Sequence, residues 1–170
     1  MNFSSSRTLR VSALALIALV STSISYSASA TTQSIGKAKV SATVLPTVTA
    51  HAGVAPVLGK PAGNPPTVLT KKDIIVGKGK AAVSSSTVTA QYVLMSWKTG
   101  KVLQSSWSSS PFTSPLSGVI AGWQQGIPGM KVGGRRLLVI PPALAYGAAG
   151  GGPVGPNETL VFVVDLLGVK

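Results

Sequence analysis

One short stretch, Val119 to Ile127, carries helical spacing in a chain otherwise patterned for strands, and it limits what the fold can be. Val119, Ile120, Trp123 and Ile127 fall close to one face at 3.6 residues per turn. Ser117 is positioned to cap the N-terminus, and Pro128-Gly129 ends the helix after about two turns. So short a helix does not hold together alone in water and must be packed against a sheet. Val68 to Val76 contains a strand that ends at the turn Gly77-Lys78-Gly79. Thr87 to Met95 alternates, with Val88, Ala90, Tyr92 and Leu94 on one face. The turn Lys98-Thr99-Gly100-Lys101 joins it to Val102-Leu103, Arg135 to Ile140 is stopped by Pro141-Pro142, and Leu160 to Val169 closes the set. The expected class is α+β, a twisted antiparallel sheet of about five strands wrapped around one short helix.

The side-chain inventory then removes most chemistry. The 170 residues include no Cys and a single His, which excludes disulfide scaffolds, thiolate zinc sites and Cys nucleophiles. The only acids are Asp73, Glu158 and Asp165. A glycosidase pair or a hard-cation cage needs carboxylates converging in one cleft, and these are too few and too scattered. The formal charge of +12 comes with only 11% charged residues, so it reflects missing acids more than a dense basic patch. The lysines are scattered, and a basic exported protein clinging to anionic wall polymers or membrane surface is at most an additive role. Function is expected to rest on shape and apolar surface, with no cofactor and no metal.

The N-terminal part of the sequence has a different character. Arg7 and Arg10 precede an apolar run from Val11 to Val20, and small residues lead to Ala28-Ser29-Ala30. This is the pattern of a secretory signal peptide over residues 1–30, cleaved after Ala30, and the run is too short for a stable membrane span. The expected location is therefore outside the cytoplasm. Residues 31–66, broken by Pro46, Pro56, Pro61, Pro65 and Pro66, read as a flexible linker, with β-prone pieces such as Val40 to Val48 as the alternative, one of which could add an edge strand to the domain. His51 falls within it and reads as a solvated residue. The domain is expected over residues 67–170.

Two long loops interrupt that domain. Residues 105–117 are Ser-rich and hold Trp107, Pro111 and Phe112, and residues 141–157 are rich in Gly, Pro and Ala around Tyr146. Loops this long in a compact domain are usually functional or disordered. A Trp on an apolar helix face, or Tyr92 and Phe162 on strand faces, most often belongs to a core. Tyr146 has little around it to pack on, so a binding role is as reasonable as a mobile connection.

Read in series, these pieces resemble a known family. Thr99-Gly100-Lys101-Val102-Leu103-Gln104, Pro111-Phe112, Gly118-Val119-Ile120-Ala121-Gly122-Trp123, Met130-Lys131-Val132-Gly133-Gly134-Arg135, Ala145-Tyr146-Gly147 and Thr159-Leu160-Val161-Phe162 are similar to the FKBP-type peptidyl-prolyl cis-trans isomerases in order and spacing. The resemblance covers residues 67–170. It implies a pocket with Trp123 as its floor, Tyr92 and Phe162 facing it from strands, Val119 and Ile120 at the turn into the helix, and Leu103 and Phe112 on the far wall. By the same resemblance Tyr146 stands at the rim, Tyr92, Gln104, Tyr146 and Phe162 serve catalysis, and the Ile120 N–H is a donor to bound peptide.

The reaction suits so few ionisable groups. X–Pro rotation breaks amide resonance against a barrier of roughly 18–20 kcal/mol, and no proton or covalent bond need be moved. The twisted amide has lost charge separation, so an apolar pocket favours it over the planar form. One departure bears on the rate. The family commonly has Phe-Asp where this chain has Leu103-Gln104, and Gln104 can keep a hydrogen bond to Tyr92 but not the charge. Weak catalysis and altered binding of macrolide inhibitors are the expectation. Proline-containing polypeptides are the expected partners of a monomer, with neither nucleic acid nor membrane insertion. The alternative is a non-catalytic module that holds proline segments in the cell envelope.

Overall fold

In a computed structural model, residues 42–170 are described; the expected signal peptide over 1–30 and the start of the expected linker lie outside them. Six strands form one antiparallel sheet: β1 (Thr70–Ile75), β2 (Thr87–Ser96), β3 (Val102–Ser105), β4 (Phe112–Pro115), β5 (Arg135–Ile140) and β6 (Leu160–Val169). Their order is β1-β5-β6-β2-β3, and β4 pairs with the other half of the edge of β2 that carries β3. The strand missed in the sequence is β4. It lies inside the Ser-rich stretch, four residues long, where Ser, Thr and Pro hide the alternation.

The helix α1 spans Ala121–Gly126. Its N-terminal boundary is Ile120, with no side-chain cap; Ser117 lies three residues earlier, in a 3-10 turn over Leu116–Gly118, and caps nothing. The expected termination holds, since Gly129 takes a positive φ directly after Pro128. Two glycines set how deeply the helix sits. A Cβ on Gly122 would overlap Ile140, and one on Gly126 would come within 2.8 Å of Leu138. With no side chain at either position, the backbone of α1 rests directly on β5.

Side-chain alternation gives the sheet two apolar faces. Val88, Ala90, Leu94, Leu138, Ile140, Leu160, Phe162, Val164 and Leu166 face the helix and form the main core with Trp123 and Ile127. Met95, Trp97, Leu137, Val139, Val161 and Val163 form a second core on the opposite face. That second face is covered by the segment expected to be a tether.

Residues 42–66 are therefore a correction to the sequence reading. Val44 exchanges backbone hydrogen bonds with Ala62 at 2.8 and 3.1 Å, and Val48 bridges to Leu58, making a small antiparallel arm. Leu45, Val48 and Leu58 pack on the second core. The arm's tip carries the Thr49 and Val54 carbonyls, which accept from Arg135 at 2.8 and 2.7 Å. Farther along, the Gly63 carbonyl accepts from Trp97 Nε1. The physical reason is that β5 and β6 are apolar on both faces, so the back of the sheet needs a cover.

Two arginines lock the sheet. Arg135 donates Nε to Asp165 Oδ1 at 2.6 Å and Nη2 to Oδ2 at 2.7 Å. Arg136, its neighbour on the other face, donates to both oxygens of Asp73 at 2.6 and 3.0 Å and to the Gly126 carbonyl at the end of α1. Among the described residues, no helix is long and apolar enough to cross a membrane.

Candidate active site

Four aromatic rings meet between α1 and the concave face of the sheet. Trp123 projects from α1 and meets Phe162 of β6 at 5.5 Å, Tyr92 of β2 at 5.8 Å and Phe112 of β4 at 5.8 Å, each nearly perpendicular to the indole. Tyr92 meets Phe112 edge-on at 6.0 Å and Phe162 at a tilt. Edge-to-face packing places the positive rim of one ring on the negative face of the next, which fixes the cluster beyond simple burial.

Above these rings opens a cavity of about 330 Å³, lined by Tyr92, Gln104, Phe112, Gly118, Val119, Ile120, Trp123, Tyr146 and Phe162. Eight of the nine residues expected at the site line it. The ninth, Leu103, packs against the main core and does not line the cavity; it falls at a register shift, left without a partner between the pairs Leu94–Gln104 and Met95–Val102. Gly118 is the lining residue the sequence reading missed. It precedes Val119 in the turn into α1, where a Cβ would lie in ordinary contact with Ser114 and Pro115.

The polar groups are few. No carboxylate and no imidazole lines the cavity. Asp73 and Asp165 are held by arginines, while Glu158 accepts from the Ser96 hydroxyl and the Gly155 N–H. Burial pushes the Tyr92 phenol above its ordinary pKa, and Tyr146 adds to the effect. Among the described residues Gln104 makes no hydrogen bond to Tyr92; the Tyr92 backbone N–H is instead accepted by the Ser106 hydroxyl at 2.9 Å. The turn into α1 is fixed by Gln124, whose Nε2 donates to the Val119 carbonyl at 2.7 Å. No described group within the protein accepts the neighbouring Ile120 N–H.

Tyr146 stands at the rim, 41% exposed. Its loop is built rather than loose. Gly147 N–H donates to Pro142, Asn157 N–H donates to Gly147, and Gly151 pairs with Val154. Gly151 lies against the Tyr146 ring, where a Cβ would come within 3.1 Å. A larger groove of about 880 Å³ runs between the arm and residues 155–159, past Gly63, Trp97 and Pro156. It lacks the converging rings.

The family model described as FKBP-type peptidyl-prolyl cis-trans isomerase matches residues 78–167. A "Probable FK506-binding protein" of Corynebacterium glutamicum is 48% identical over 113 residues, covering 66% of this chain and 96% of the relative. An "FK506-binding protein" of Streptomyces anulatus is 48% identical over 114 residues, covering 64% and 92%. Among solved structures, FkpA from Escherichia coli aligns with a TM-score of 0.57 at 44% identity, covering 60% of this chain and 48% of that longer one.

Proposed function

The chain belongs to the FKBP-type peptidyl-prolyl cis-trans isomerases, and from that premise we propose how its own residues carry the reaction. The activity itself, rotation about X–Pro bonds, follows from the family. In our reading the proline ring lies on the Trp123 indole, with Tyr92, Phe112 and Phe162 as walls. Val119 and Ile120 border the mouth, and the free Ile120 N–H and the Tyr146 hydroxyl donate to carbonyls of the flanking chain. Those two donors hold the peptide while the bond between them turns. Gln104 closes one wall without charge.

The observation that carries this is the cluster of four rings beneath a cavity that contains no acid or base. Such a cavity solvates the planar, charge-separated amide poorly and the twisted amide comparatively well, which lowers the barrier by differential binding. Macrolides of the FK506 type, ligands of the family, would occupy the same cavity. NMR titration with a Leu-Pro peptide tests the assignment. The largest shifts are expected at the Ile120 amide and the Trp123 indole; shifts centred on Trp97 and Gly155 would move the site to the larger groove.

Export is part of the same proposal, supported by Arg7, Arg10, the Val11 to Val20 run and Ala28-Ser29-Ala30. N-terminal sequencing of the secreted protein should begin at Thr31. Proline-containing exported polypeptides are then the substrates of a monomeric enzyme.

A further inference from the structure

We propose that the β2–β3 turn, together with Lys60 of the arm, is a subsite for acidic residues flanking the proline of a bound polypeptide. This rests on the pocket reading above and adds a substrate class to it.

Three lysines lie at that turn. Lys98 and Lys101 bracket Thr99-Gly100, and the Lys60 side chain crosses over Gly100, so close that a Cβ there would come within 2.9 Å of Lys60 Cγ. All three are exposed, and neither ion pair of the described residues involves them. The nearest acid in the fold, Glu158, is bound to the Ser96 hydroxyl beneath the turn; that same hydroxyl accepts from the Thr99 N–H at 3.1 Å. One satisfied carboxylate therefore braces the turn, and three ammonium groups remain unneutralised above it.

The position matters as much as the charge. Lys101 immediately precedes β3, and Gln104 on that strand lines the cavity. Three residues of extended chain span about 10 Å. A polypeptide with its proline in the cavity and three or four further residues extended along β3 comes to Lys101, at the end of the turn that Lys60 crosses. The cavity itself has no charged wall, so charge selection falls to this neighbouring surface. A single exposed pair contributes little, but two acids against three lysines act together, and salt screens the effect.

The experiment compares Leu-Pro peptides bearing two Glu, two Gln or two Lys at the third and fourth positions from proline, placed on one flank and then on the other. Exchange NMR reads the catalysed rate. With the full mature chain at low salt, Glu on one flank should raise kcat/KM about fivefold over Gln. The advantage should vanish at about 1 M salt, where the Debye length is about 3 Å. It should also vanish in the Lys60→Gln/Lys98→Gln/Lys101→Gln variant, whose rate on the Gln peptide stays that of the wild type. Equal rates for Glu and Gln on both flanks would overturn the subsite. So would a Glu preference that survives in the triple variant, which would assign it to the protein's general field. Absence of acceleration for every peptide would count against the pocket reading instead. Binding would then decide the subsite: tighter binding of the Glu peptide, lost in the triple variant, supports it, and equal binding overturns it.

Discussion

Arg135 grips Asp165 with two parallel hydrogen bonds, 2.6 and 2.7 Å long, and uses two of its three other N–H groups on the Thr49 and Val54 carbonyls of the arm. The guanidinium is fully buried and also lies 5.8 Å from the centre of the Trp107 ring. One side chain thus joins β5, β6, the arm and the Ser-rich loop. Removing one partner leaves a buried charge uncompensated. Asp165→Asn is expected to cost about 3–5 kcal/mol in chemical denaturation. A loss no larger than an exposed pair gives would contradict that role.

The arm should matter for stability and not for the chemical step, because it covers the face of the sheet opposite the cavity. Leu45→Ala and Leu58→Ala are each expected to lower stability by about 1–3 kcal/mol, less than a fully buried leucine, since both are half-buried. The isomerisation rate per folded molecule should be unchanged. A matching loss of rate under conditions where the variants remain folded would show that the two faces communicate.

Gly122 and Gly126 give a ranked expectation. Alanine favours a helix over glycine by about 1 kcal/mol. At Gly122 the new methyl meets Ile140, a stiff branched side chain that is fully buried, so overpacking of about 1–3 kcal/mol should win. At Gly126 it meets the outer methyls of Leu138, which have more freedom to shift. Thermal melts should place Gly122→Ala below Gly126→Ala.

The pH profile follows from Tyr92. Burial raises its pKa, with Tyr146 contributing, so the folded protein holds the neutral phenol more firmly than the unfolded chain does. The resulting stability is complete below the ordinary phenol range near 10 and is lost as pH rises through the raised value. With no carboxylate or imidazole at the cavity, kcat/KM should be flat from about pH 6 to 9. An inflection near pH 6 to 7, measured by exchange NMR, would require a titrating group that the cavity does not contain.

Much of this was legible in the sequence because each helix-facing strand position repeats with period two and the helix with period 3.6. Spacing put Tyr92, Phe162 and Trp123 on apolar faces and the loop composition singled out Tyr146, while the family resemblance brought them together with Phe112 in one pocket. Of the arm, only the β-prone piece from Val40 to Val48 was legible by the same route. Its prolines and glycines gave it the composition of a linker, while its folding depends on a surface far away in sequence. The available signal lay in Leu137, Val139, Val161 and Val163, the second apolar face of β5 and β6, which a tether would leave bare. Leu103 is the one expected residue that does not line the cavity, and the register shift beside it is not visible in a period-two pattern.

The most direct test of the central claim is two-dimensional exchange NMR on a Leu-Pro peptide with the protein, its Tyr146→Phe variant and its Trp123→Ala variant, each checked for retained fold. Catalysis by differential binding in the aromatic cavity predicts accelerated cis/trans exchange, reduced by about tenfold when the Tyr146 donor is removed, on the scale of a bond of about 1.5 kcal/mol. It predicts a larger loss with Trp123→Ala. Full acceleration in a folded Trp123→Ala protein would contradict the account, because the floor of the cavity would then have no part in the reaction.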